Sequence, residues 1–69
     1  MAHITEQTAL DYVLDMMTVK WGCRGVTATV KGTVYNDGVE IVEIAATSEG
    51  LAYPWEVWME SDGTIYGEY

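Results

Sequence analysis

Positive charge is absent from more than half of this chain, because no lysine or arginine follows Lys31 among its 69 residues. The segment 32–69 nevertheless carries eight acidic side chains, whereas residues 1–31 balance three acids against three bases. The whole formal charge of −8 therefore lies in one contiguous stretch. Such a field repels polyanions, which argues against direct binding to DNA, RNA or anionic lipid and favours a positively charged partner.

Cysteine is scarce as well. Cys23 has no second cysteine with which to form an intrachain disulfide, which fits a reducing cytoplasm. No apolar run approaches the roughly 20 residues needed to cross a bilayer, and the segment 1–6 lacks the basic region and apolar core of a secretory signal. We therefore expect a cytoplasmic protein without a membrane anchor.

Phenylalanine is missing, yet the composition is typical of a folded protein. Hydrophobic residues make up 49% of the chain, and its aromatics are three tryptophans and five tyrosines. An acidic disordered tail would be poor in such residues. A chain of this length forms one domain, so residues 1–69 are expected to fold as a single unit.

The spacing of apolar side chains predicts one helix over about residues 6–20. Thr5 or Thr8 can cap its N-terminus, and Gly22 stands where a left-handed C-cap is usual. The apolar side chains that recur at helical spacing are Leu10, Val13, Leu14, Met17 and Trp21.

From Arg24 onward the apolar period is two, which predicts strands. A first strand leads into a hairpin turn at Asn36–Gly38. The next strand, 39–46, changes phase after Ile41, which predicts either a bulge at Ile41–Val42 or a strand covered on both faces. Residues 47–54 are expected to form a loop. A second hairpin then joins 55–60 to 64–69 through a two-residue turn at Asp62–Gly63.

These elements predict an α+β fold in which one N-terminal helix packs on a four-stranded antiparallel sheet, an α-β-β-β-β meander. One helix covers only one face of a sheet. The last hairpin carries apolar side chains in both parities, so the other face is expected to meet a partner or a second copy of the chain.

The acidic stretch supplies the leading candidate site. If Trp55 and Val57 face the helix, then Glu56, Trp58 and Glu60 face outward together. Tryptophan and tyrosine are favoured at interface hot spots, so Trp58, with Tyr66 or Tyr69, is the expected short-range contact. A solvated face that only keeps the protein soluble is the alternative, although such faces usually mix charges of both signs. The predicted partner-binding residues are Glu40, Glu43, Glu56, Trp58, Glu60, Asp62, Tyr66 and Glu68.

Catalytic and metal sites find little support. Cys23 lies between Lys20 and Arg24, but a nucleophile needs an oriented base, and His3 is the single histidine. No spacing matches a zinc site or a calcium loop, and so small a domain has little room for a cleft between paired carboxylates such as Glu56 and Glu60. We expect no catalytic activity, metal or cofactor.

The predicted function is therefore that of a non-enzymatic inhibitor or binding protein. Its acidic sheet would dock on the basic, nucleic-acid-binding surface of a partner protein or nucleoprotein complex. In size, charge and fold class the chain is similar to phage-encoded nucleic-acid mimics that block restriction or CRISPR complexes, a likeness of kind that transfers no residues. The alternative is a structural module that homodimerises, or binds a peptide strand, through an uncovered apolar sheet face.

Overall fold

The computed structural model describes residues 3–69. The prediction that residues 1–6 form no secretory signal falls partly on the first two residues, which lie outside that range. Its elements follow the predicted order, and the α+β meander is confirmed. A helix, α1, packs on one antiparallel sheet with the strand order β1-β2-β3-β4. The bounds are α1 Glu6–Asp15, β1 Thr27–Asn36, β2 Val39–Ser48, β3 Leu51–Met59 and β4 Ile65–Glu68.

The helix begins at Thr5, whose side-chain oxygen accepts from the backbone N–H of Thr8 at 3.0 Å. After Asp15 it widens into a π-helical turn over Met16–Lys20. The backbone N–H of Trp21 accordingly reaches back five residues to the carbonyl of Met16. Of the predicted stripe, Met17 is buried, and Trp21 at its end is 37% exposed but packs against the buried Trp55 with ring centroids 5.3 Å apart.

The turns set the sheet register. The hairpin turn predicted at Asn36–Gly38 is present, with positive φ at both Asp37 and Gly38. The loop expected over residues 47–54 is wrong: β2 and β3 continue the ladder to a tight turn at Glu49–Gly50, again with positive φ at both positions. The two-residue turn expected at Asp62–Gly63 is also wrong, since five residues separate the paired Met59 and Ile65.

Two irregular positions differ from expectation. The bulge lies in β1, where the register shifts between Val30 and Gly32, rather than at Ile41–Val42. Pro54 lies within β3 opposite Ala45, although it had marked a loop. Because β4 pairs only with residues 56–59, β3 is a sheet edge at Pro54. The missing N–H of proline therefore costs no hydrogen bond to a neighbouring strand on that side.

The core lies between α1 and the side of the sheet that we call the inner face. Helix α1 contacts all four strands, so it runs across the sheet. Its Tyr12 packs tightly on β4, where a Cβ on Gly67 would lie 2.6 Å from Cε1 of Tyr12. The buried apolar residues are Ile4, Ala9, Val13, Met17, Val42, Ile44, Ala46, Trp55 and Val57.

Candidate partner-binding face

The side of the sheet opposite α1, the outer face, is uncovered by any described residue. Its membership follows from strand parity. Trp55 and Val57 are buried against the helix, so their neighbours Glu56 and Trp58 point the other way. In β2 the same alternation buries Val42 and turns its neighbours outward. The sheet therefore presents residues from all four strands to solvent.

Three glutamates form one line across this outer face. Glu43 pairs with Glu56 in the β2–β3 ladder, and Glu56 pairs with Glu68 in the β3–β4 ladder. Side chains directly opposite one another in antiparallel strands have Cβ atoms about 4.5–5.5 Å apart. We call Glu43, Glu56 and Glu68 the glutamate row.

The glutamate row is not neutralised by close ion pairs. Within residues 3–69 the one basic side-chain nitrogen within 4.0 Å of a carboxylate oxygen is Nδ1 of His3, which lies 3.8 Å from Glu40 on the inner side of the sheet. Lys31, at the bulge of β1, lines a cavity of about 250 Å³ together with all three glutamates of the row. Its charge lies near the row without a contact to any one of the carboxylates, so the row retains an excess of negative charge.

A second line of outer-face side chains is apolar. Val34 pairs with Ile41, Ile41 with Trp58, and Trp58 with Tyr66, so the line crosses all four strands. The rings of Trp58 and Tyr66 stack with centroids 6.3 Å apart and planes 23° from parallel. Val34 and Tyr66 remain 40% and 46% exposed. We call Val34, Ile41, Trp58 and Tyr66 the apolar row.

Acidic side chains also border the apolar row on its other side. The indole N–H of Trp58 donates to Oε2 of Glu60 at 2.9 Å, which fixes that carboxylate beside the ring. A shallow cavity of about 360 Å³ is lined by apolar-row side chains together with Asp37, Glu60, Glu56 and Glu68. The outer face is thus an apolar row with carboxylates along both sides.

Two predicted site residues lie elsewhere. Glu40 pairs with Tyr35 on the inner side of the sheet, accepts from its hydroxyl at 3.4 Å and contacts Nδ1 of His3 at 3.8 Å, so it does not join the outer carboxylates. Asp62 lies in the β3–β4 turn and accepts from the backbone N–H of Thr64 at 2.9 Å. That hydrogen bond lowers the pKa of the Asp62 carboxyl below 3.8.

Tyr69, the alternative aromatic contact, belongs to an aromatic cluster that the sequence did not predict. Its ring centroid lies 4.7 Å from that of Trp21, 5.1 Å from that of Trp55 and 5.9 Å from that of Tyr53. Since Trp55 is buried on the inner face, Tyr66 and not Tyr69 accompanies Trp58. The sequence offered one indication of this cluster: Tyr53 and Trp55 are two residues apart in a strand and therefore lie on the same face.

The catalytic alternatives are poorly placed. His3 contacts Glu40 near the start of β2. Arg24, next to Cys23, lies at the other end of β2, where its backbone carbonyl accepts from the hydroxyl of Ser48. Eight residues of strand separate these points, about 27 Å at about 3.4 Å per residue. A Cys23–His3 dyad is therefore incompatible with the fold.

Within residues 3–69 no three His, Cys, Asp or Glu side chains converge as a metal site would require. None of the helical segments in that range combines the length and apolarity needed to cross a bilayer. No protein-family model, curated protein or solved structure matches the chain, so the geometry of the outer face is the basis for inferring a function.

Proposed function

We propose that this chain is a non-enzymatic binding protein whose outer face docks on a basic, nucleic-acid-binding surface of a partner protein and excludes the nucleic acid. The observation that carries the proposal is the glutamate row. Adjacent strands place one carboxylate every 4.8 Å or so, and one strand of B-DNA carries a phosphate about every 3.4 Å along the axis. The row thus offers a basic groove a comparable line of negative charge.

Like charges on directly opposed strand residues destabilise a sheet. Glu43 and Glu68 both lie opposite Glu56, and no described cation lies within 4.0 Å of these carboxylates. A face that served solubility alone would gain stability from mixed signs. A partner that brings cations to the row relieves this repulsion, and the relief favours binding.

Trp58 adds a short-range contact to this long-range attraction. It lies between Ile41 and Tyr66 on the outer face and is half-buried in the free chain. Tryptophan and tyrosine are enriched at interface hot spots. Charge steers the partner and the tryptophan holds it, which fits a cytoplasmic inhibitor of a nucleic-acid-handling complex.

The test is capture of a partner from a cell lysate at low salt, followed by elution first with double-stranded DNA or RNA and then with salt. The proposal expects a nucleic-acid-binding protein that leaves the chain when nucleic acid is added, because both ligands occupy one surface. Its release should also be steeply salt-dependent. A partner that holds the chain and nucleic acid together would contradict the proposal.

The exposed apolar row favours a second candidate, homodimerisation through the same face. Apolar association is strengthened by salt, which screens the repulsion between two acidic faces. Sedimentation in low and high salt separates the two functions. The docking proposal expects a monomer at both, whereas a dimer that forms as salt rises favours the assembly module.

A further inference from the structure

We infer that the element bound by the outer face is a basic amphipathic helix of about ten residues, which lies across the strands with its apolar stripe on the apolar row. This inference rests on the proposed function and specifies the partner's structure. It starts from the layout of the face, which places an apolar line between two acidic borders rather than a uniform acidic surface.

The apolar row has the length of a short helix. Its four side chains come from four adjacent strands, which span about 14 Å at about 4.8 Å per gap. Ten residues of α-helix extend about 15 Å. The same fit already exists on the other side of the sheet, where the ten-residue α1 contacts all four strands.

The two borders select the charge pattern of the occupant. Glu56 lies two residues from Trp58 on one side of the apolar row, and Glu60 lies two residues away on the other. That offset is about 6.6 Å along a strand, which lies within reach of Lys or Arg side chains on the flanks of a helix about 10–12 Å wide. A helix carries an apolar stripe with cations on both flanks, whereas a strand turns its polar side chains to the opposite face.

The other occupants fit less well. A second copy would place one set of carboxylates against another, and Lys31, which lines a cavity with the glutamate row, supplies one positive charge against its three negative charges. A peptide strand would need a free sheet edge. The edge of β1 carries a bulge at Lys31, the open part of β3 carries Pro54, and the edge of β4 is only four residues long. All three features oppose strand addition.

Two synthetic peptides of identical composition test the inference. Both contain leucine, alanine, lysine and arginine, but only one orders them as a helical apolar stripe with cations on both flanks. Binding is followed at low salt by the NMR signal of the Trp58 indole N–H, which reports on the apolar row through its bond to Glu60. We expect the striped peptide to bind at least about tenfold more tightly than the scrambled one and to shift this signal.

Paired variants locate the contact. Val34→Ser with Tyr66→Ser removes the two ends of the apolar row, and Val19→Ser with Tyr35→Ser makes the same chemical change at exposed positions off the row. The first pair of substitutions should lower the affinity for the striped peptide about tenfold, and the second pair should leave that affinity unchanged. The circular dichroism of both variants verifies that each one folds.

The outcomes separate this inference from the proposed function. Equal, salt-sensitive binding of the two peptides overturns the helix and leaves docking on a basic surface intact. Equal loss in both paired variants, or a low-salt dimer that shifts the Trp58 signal, also overturns the helix. If neither peptide binds but a nucleic-acid-binding partner is captured from lysate, the helix inference alone is rejected. If no such partner is captured either, the proposed function is rejected as well.

Discussion

Glu43 lies directly opposite Glu56 in the β2–β3 ladder, and neither carboxylate has a described lysine, arginine or histidine nitrogen within 4.0 Å. Glu68 flanks Glu56 from β4 on the other side. The outer face therefore concentrates like charge at the place where cross-strand pairing makes it most unfavourable. This relationship links the stability of the free chain to its capacity to bind.

Removal of the central charge should stabilise the free protein. Glu56→Gln relieves repulsion with both neighbours, and we expect the free energy of unfolding to rise by about 0.2–1 kcal/mol at low salt. Urea denaturation at low and high salt measures the change, which should shrink as salt screens the row. Glu6→Gln is the matched control, because it removes one negative charge from the first turn of α1, where an acid is favourable. Equal effects of the two substitutions would argue against repulsion in the row.

The contact between α1 and β4 depends on Gly67. A Cβ at this position would lie 2.6 Å from Cε1 of Tyr12 and 3.2 Å from Cε3 of Trp55. Gly67→Ala should therefore lower the free energy of unfolding by about 1–3 kcal/mol through overpacking. Gly32→Ala is the control, since no heavy atom lies within 4 Å of its Cβ position. In a Tyr12→Ala background the cost of Gly67→Ala should fall, and an unchanged cost would show that the clash does not cause it.

Acid should weaken the β3–β4 turn through Asp62. The hydrogen bond from the backbone N–H of Thr64 lowers the folded-state pKa of this carboxyl below 3.8, its unfolded value. Its stabilising contribution is therefore fully present above pH 3.8 and is lost as pH falls through the folded-state pKa. An NMR titration of the carboxyl carbon should give a midpoint below 3.8. Asp62→Asn keeps an acceptor without titrating, so its stability should fall less on acidification; an equal fall would contradict this role.

Tyr69 should stabilise the fold despite its exposure. It is 68% exposed, yet its ring lies within 6 Å of three other aromatic rings. Aromatic pairs contribute about 0.5–1.5 kcal/mol each beyond burial, so Tyr69→Ala should lower the free energy of unfolding by about 1–2 kcal/mol. Tyr35, at 72% exposure, provides the matched substitution outside the cluster. Near-UV circular dichroism should change for Tyr69→Ala and not for Tyr35→Ala; the reverse result would exclude a structural role for the cluster.

The sequence predicted which side chains share a face better than it predicted which of them meet. Alternation over residues 55–60 correctly placed Glu56 and Trp58 on the side opposite the helix, because strand parity is a local property. The glutamate row depends instead on register, which the turns determine. The Glu49–Gly50 turn that pairs Glu43 with Glu56 requires positive φ at a glutamate, a conformation that residue rarely adopts.

The bulge illustrates the same limit. Apolar residues of both parities in β2 suggested an irregular strand, yet β2 is regular there: Val42 faces the helix while Ile41 belongs to the apolar row. The irregularity lies in the partner strand, at Lys31, where the local sequence alternates normally. Glu40 was grouped with the outer carboxylates because of its charge, whereas its parity assigns it to the inner side beside Tyr35.

The most direct experiment distinguishes binding that depends on the position of the negative charge from binding that depends on its amount. One variant replaces Glu43, Glu56 and Glu68 with glutamine; its control replaces Glu6 with glutamine and Asp11 and Asp15 with asparagine, the same loss of three charges from α1. Affinity for the captured nucleic-acid-binding partner is measured by titration at one low salt concentration. We predict that the row variant binds at least about tenfold more weakly, while the helix variant binds almost as tightly as the parent chain. Equal weakening in the two variants would show that only the total negative charge matters, and it would contradict a specific role for the glutamate row.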